Sequence, residues 1–140
     1  MLQFCLMRKP IQTIKQRLQD EIGSHFIHGP RRVAMLYPSP YRAGMSSLGY
    51  QWTISILADA GFSVERVFLP DDVDEWKRHG GVLVSYETQT PLSHFPVIGI
   101  SLAYELEMSG LIQCLDLAGI PALREERTPD DPILILGGPI

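Results

Sequence analysis

Three short apolar runs constrain this chain most: Val33-Ala34-Met35-Leu36-Tyr37, Val97-Ile98-Gly99-Ile100-Ser101 and Ile133-Leu134-Ile135-Leu136. A strand with one face in water alternates polar and apolar residues, whereas a strand covered on both faces is apolar throughout. Runs of this length, bounded by turn residues, point to a parallel sheet buried between helices. Residues 62–69, FSVERVFL, alternate enough to form a further strand, and a helical stretch at 47–60 joins it to the first run. If those two strands are parallel, the connection closes a right-handed β-α-β unit. Strands alternating with helices predict a doubly wound, open, mostly parallel α/β sheet with helices on both faces.

The other elements follow in order. Residues 1–30 read as an N-terminal helical extension and 31–140 as the domain proper. In the extension, Pro10 suits a first helical turn, and Ile11, Ile14, Leu18 and Ile22 recur at spacings of three and four until Gly23. An amphipathic helix packed on a domain is the expected role, because Asp20 and Glu21 interrupt the basic face that a membrane surface would need. His25 and His28 have no third ligand in view and read as surface residues. The helix at 47–60 is predicted to bury Leu48, Trp52, Ile56 and Leu57 and to end at Gly61. Pro70 breaks the second strand, and Asp71 or Asp72 caps one or two helical turns up to Arg78. Val82 to Tyr86 is β-like, and its place inside or outside the sheet stays open. A helix over 105–118, with Leu106, Leu111, Ile112, Leu115 and Leu117 apolar, stops at Gly119-Ile120-Pro121. The sheet then ends on a central-type buried strand and its glycine turn, so the fold is expected to continue past Ile140.

Composition narrows the function. A length of 140 residues suits one domain of this class. A net charge of −4 without a basic face argues against nucleic acid. Two cysteines, Cys5 and Cys114, are too few for a disulfide framework or an all-cysteine zinc site, and a reduced, cytoplasmic setting fits them. The opening MLQFCLM is too short for a signal peptide, and no apolar run reaches membrane-spanning length.

In open α/β sheets, ligands bind at the carboxyl ends of the strands. Small residues gather at three predicted strand ends: the loop 38–49, Ser101, and Gly137-Gly138. A helix starting near Ser46 or Ser47 adds unpaired N–H groups and a positive dipole end. Glycine and serine also sit where a chain simply reverses tightly, so both explanations stand. There is no G-x-G-x-x-G, no Walker lysine motif and no G-x-S-x-G elbow. Asp71, Asp72 and Asp74 read as a solvated helix cap, and nothing in the spacing pairs Glu87 with Glu105. No constellation marks catalytic or metal-ligating residues.

The segments VAMLYPSPYRAGMSSLGYQ, VERVFLPDD, SYETQTPLSHFPVIGISLAYELE, LDLAGIPALREER and ILILGGP occur in that order. Together they resemble the N-terminal region of cobalamin-binding-domain radical S-adenosylmethionine (SAM) proteins. The resemblance runs from about Arg31 to Ile140. It is nearest to an uncharacterised branch whose first loop reads roughly Y-P-x-x-Y-x-x-G-M-S-x-L-G, here Tyr37 through Gly49. It implies a Rossmann-like, flavodoxin-type cobalamin-binding fold that precedes a radical SAM barrel, in cis or in trans. The barrel would carry a C-x-x-x-C-x-x-C motif on a [4Fe–4S] cluster and cleave SAM. Cys5 and Cys114 cannot form that motif, so the resemblance implies that the cluster and SAM would belong to the barrel and that this chain would be an accessory domain rather than an enzyme by itself.

The resemblance also implies how cobalamin would be held. The first loop, PSPYRAGMSSLG, lacks the D-x-H-x-x-G motif, so no protein histidine would reach cobalt. By position, Pro40, Tyr41, Arg42, Gly44, Ser46, Ser47 and Leu48 would come from the first loop, Ser101 and Leu102 from the Val97 run, and Gly137 and Gly138 from the last strand. The glycines would let the backbone approach the cofactor and the serines would donate hydrogen bonds. Tyr41 would offer a packing face and Arg42 a cation for the tail phosphate. Two other readings stand beside this one: a cofactor-free module of the same fold that docks on or shapes the barrel, and an independent flavin or nucleotide binder. A deep groove at the strand ends favours cobalamin, and the same place filled by Tyr37, Tyr41 or Met45 favours the cofactor-free module.

Overall fold

The computed structural model describes residues 7–23 and 26–139, so Cys5 and His25 lie outside the described residues. Helix α1 (Arg8–Asp20) precedes strand β1 (Arg32–Tyr37), short helix α2 (Tyr41–Met45), helix α3 (Leu48–Asp59) and strand β2 (Ser63–Phe68). Helix α4 (Val73–Arg78), strand β3 (Val97–Ser101), helix α5 (Glu107–Ala118) and strand β4 (Ile133–Gly137) follow. The four strands form one sheet in the order β2-β1-β3-β4. Every pairing in it is parallel. This is the α/β class expected, and the strand order is that of a flavodoxin-like open sheet. The chain winds outward to β2, then crosses back over β1 to start β3. The winding reverses between β1 and β3, which makes their carboxyl ends the topological switch point.

Local chemistry explains several element ends. Ser47 caps α3 by accepting from the Tyr50 N–H at 3.3 Å, and Asp72 caps α4 by accepting from the Glu75 N–H at 2.8 Å. Gly119, at φ 68°, closes α5 in the left-handed conformation. Strand pleat and register then assign the two sheet faces. Met35 and Tyr37 stand opposite Arg66 and Phe68. This face lies under α3, whose Tyr50 hydroxyl donates to the Met35 carbonyl at 2.7 Å. On the other face Ala34, Leu36, Val67, Ile98 and Ile100 pack with Leu111, Cys114 and Leu115 of α5.

Three expectations about burial need correction. The exposed side of α3 carries Leu48 (81%), Trp52 (70%) and Ile56 (56%), the residues expected inside. Tyr50 is fully buried instead, with Ile54 and Leu57 packed partly beside it. The helix is apolar nearly all round, so two stripes compete, and the Tyr50 hydroxyl bond to β1 decides between them. In α5 the buried set is Leu111, Cys114, Leu115, Leu117 and Ala118, while Leu106 and Ile112 face out. In β4, Ile133, Ile135 and Leu136 are exposed although the run reads as a buried strand. The strand is the sheet edge, and no described element lies outside it.

The opposite edge is covered. Residues 82–86 stay out of the sheet as a strand but run along β2: the Tyr86 N–H donates to the Arg66 carbonyl at 2.8 Å. Val84 makes a lone antiparallel bridge to Pro91. With that cover, all six β2 residues are buried. Helix α1 packs on the same side of the molecule through Pro10 and Ile14, with Ile11 and Leu18 partly buried; it ends at Asp20, and Ile22, expected on the same stripe, is instead fully exposed beyond that end.

Candidate functional site at the carboxyl edge of the sheet

The first loop folds back on itself. Helix α2 occupies its centre, and the Ser46 hydroxyl donates to the Arg42 carbonyl at 2.7 Å. Ser47 is engaged as the cap of α3. Gly44 is buried, and a Cβ on it would meet the Phe68 ring at 2.3 Å and the Tyr37 ring at 3.3 Å. Leu48 and Arg42 are exposed, and Pro40 is half-buried at the N-cap of α2.

The ends of β3 and β4 meet each other. Ser101 is paired with Gly137 in the sheet register. The Leu102 N–H donates to the Gly137 carbonyl at 2.9 Å. Gly138 has φ 145°, and a Cβ there would stand 1.8 Å from the Leu102 carbonyl oxygen. The structure thus brings Ser101, Leu102, Gly137 and Gly138 together, with backbone filling the space beside Gly138.

The centre of this edge is held by Glu107 and Ser39, which the sequence reading passed over, and by Tyr37, which it named as a possible occupant. Glu107, at the start of α5, is 5% exposed. Its Oε2 accepts from the Ala103 N–H at 2.6 Å and the Tyr104 N–H at 3.4 Å. Its Oε1 accepts from the Ser39 hydroxyl at 3.2 Å. Tyr37, at the end of β1, faces Glu107 and Ser47; burial and then the Glu107 charge push its phenol up to about 12. Behind this group, a Cβ on Gly110 would lie 2.2 Å from the Pro38 carbonyl oxygen, so α5 rests directly on the first loop. A glutamate three or four residues after its N–H partners is the only sequence signal for Glu107, and it resembles an ordinary helix cap.

Tyr41 belongs to a different cluster. Its ring stacks on Tyr86 with centroids 5.2 Å apart, and its hydroxyl donates to Glu21 at 2.7 Å. Glu21 also accepts from Arg66 at 2.8 and 3.0 Å, and Arg66 pairs with Glu87 at 2.6 Å. Glu87 therefore finds its partner in Arg66, while Glu105 lies exposed elsewhere. Burial opposes the charge on Glu21, but the bonds from Arg66 and Tyr41 outweigh it and hold its pKa below the ordinary value. Arg17 reaches both Asp71 and the Tyr86 hydroxyl, so this cluster ties α1 to the domain. Between α1 and the segment after β2 lies a cavity of about 180 Å³, lined by Lys9, Arg17, Asp71, Glu75, Trp76 and His79 among others. It lies away from the three strand ends. Its charged groups are engaged with each other, Lys9 with Glu75 at 2.6 Å and Arg17 with Asp71.

Among the described residues, no group of three His, Cys, Asp or Glu side chains could hold a metal ion. Cys114 is buried on the α5 face, and burial pushes its thiol up to about 12. No helix of the described residues is long and apolar enough to cross a membrane.

Comparison with known proteins adds one finding. The family described as "Radical SAM proteins, N-terminal" matches residues 49–140, well over half of the chain. No curated protein and no solved structure matches. The matched stretch starts inside α3 and takes in β2, β3, α5, β4 and their carboxyl ends, so it covers most of the sheet just described. The chain belongs to the family of radical SAM protein N-terminal domains.

Proposed function

We propose that this domain is a cofactor-free accessory module that docks on the catalytic domain of a radical SAM protein, in the same polypeptide or on another. One observation carries the reading: the carboxyl edge is occupied by the chain's own Tyr37, Ser39 and Glu107, while the apolar surface lies elsewhere and open. Leu48, Trp52 and Ile56 line the outer side of α3. By register, Ile133 and Ile135 lie on the same side of the sheet as α3. Parallel sheets are ordinarily covered on both faces, and exposed apolar residues in sets mark interaction surfaces. The test is a calorimetric titration of the chain with a radical SAM catalytic domain from the same source. Trp52→Glu together with Ile135→Glu should weaken binding at least tenfold. Unchanged binding in the double variant would move the docking surface elsewhere.

Cobalamin binding is the second reading, favoured by the switch point itself. The β2-β1-β3-β4 order gathers the first loop, Ser101-Leu102 and Gly137-Gly138 at one edge. Loop residues Pro40, Arg42, Ser46 and Leu48 would border the cofactor there. As folded, the edge fits it poorly: a tail entering between β1 and β3 would meet Tyr37, Ser39 and Glu107, and the approach beside Gly138 is taken by Leu102. A hydroxocobalamin titration separates the two readings.

A further inference from the structure

The Glu107 carboxylate is held in the way a bound anion would be held. It takes two consecutive main-chain N–H groups from Ala103 and Tyr104 and the Ser39 hydroxyl, with the Tyr37 phenol facing it. Consecutive N–H groups of this kind form an anion-binding nest. A helix cap needs only the local pair. Ser39 lies 68 residues away in sequence and, like Tyr37, belongs to the other side of the switch point. The carboxylate thus bridges β1 and β3 where this architecture places ligands.

We propose that Glu107 is a resident substitute for an anionic ligand: Ala103, Tyr104, Ser39 and Tyr37 form a seat for a small carboxylate, filled from within by the chain's own side chain. The proposal rests on the reading of this edge as self-filled. The four groups around the seat are hydrogen-bond donors without charge, which suits a planar monoanion with two oxygens better than a doubly charged phosphate. Truncating Glu107 to alanine removes a CH₂–COO⁻ unit, the size and charge of acetate, and leaves its donors in place.

The test is thermal unfolding of the full chain, of Glu107→Ala and of Glu107→Gln, in sodium acetate against sodium chloride at equal ionic strength and neutral pH. In chloride the alanine variant should melt below the wild type. In acetate it should recover most of the loss with a saturable dose dependence, as ligand linkage requires. Wild type and Glu107→Gln, whose seats stay filled, should respond alike to the two salts. Adding Ser39→Ala, which removes a side-chain donor to the seat, to the alanine variant should raise the acetate half-saturation several-fold. An alanine variant that responds equally to acetate and chloride overturns the proposal. If that variant does not fold in chloride, the same comparison is made by refolding: a cooperative transition returning only in acetate supports the seat, and failure in both salts overturns it. Retention of cobalamin by the wild type would instead sink the cofactor-free reading, a result distinguishable from any acetate outcome.

Discussion

At Gly138 the absent side chain has a physical reason, since a Cβ would stand 1.8 Å from the Leu102 carbonyl oxygen and the φ of 145° disfavours any other residue. Gly138→Ala should therefore lose roughly 1–3 kcal/mol of stability in urea unfolding, the range for strained backbone positions. Gly49 makes the contrast, because a Cβ on it meets nothing within 4 Å and it lies in the first turn of α3. Gly49→Ala should gain up to about 0.5–1 kcal/mol. Equal effects at the two positions would contradict the contact geometry. Both glycines were visible in the sequence, but a glycine that admits a ligand and one that admits a carbonyl are written alike. Only the fold shows that Leu102 fills the approach. Glu107 was hidden for the same reason: its local partners look like a cap, and Ser39 and Tyr37 join it only across the switch point.

Among the elements, the strands were the most legible. β1, β2, β3 and β4 each fall on an apolar or alternating run bounded by Pro, Gly or Ser, and the caps Ser47, Asp72 and Gly119 are where turn chemistry puts them. Helix phase was less legible: in α3 the pattern fits either stripe, and one tertiary hydrogen bond from Tyr50 chooses. The link of α1 to the domain was the least legible, since Glu21, Tyr41, Arg66 and Glu87 come from four separated segments. That link has a pH dependence. Glu21 has its pKa held below the ordinary glutamate value of 4.5. A carboxylate with a depressed folded pKa contributes stability that is complete above its unfolded value and is lost as pH falls through the folded one. Wild-type stability should therefore fall more steeply below about pH 4.5 than that of Glu21→Gln, which lacks the titrating group. Urea unfolding across pH 3–6 (a window about that ordinary value) reads the difference. Parallel pH profiles would show that Glu21 contributes nothing through its charge.

On the scale of the whole molecule, the two sheet edges are treated differently. β2 is covered by the segment 82–87 and by α1, whereas β4 leaves Ile133, Ile135 and Leu136 exposed. An exposed apolar edge strand invites pairing with another chain. Ile135→Glu should therefore reduce concentration-dependent light scattering while changing stability by no more than about 0.5 kcal/mol, as surface substitutions usually do. Unaltered scattering would mean that β4 is not the adhesive element. The open face and the self-filled carboxyl edge support one proposal together: that this domain offers a surface to a partner and holds no corrin. The most direct measurement is a hydroxocobalamin titration of the full chain, followed by the visible corrin spectrum and by gel filtration. A self-filled edge predicts an unshifted spectrum and colourless protein fractions. Stoichiometric corrin carried with the protein, and lost in a variant altered at the strand ends, would contradict it.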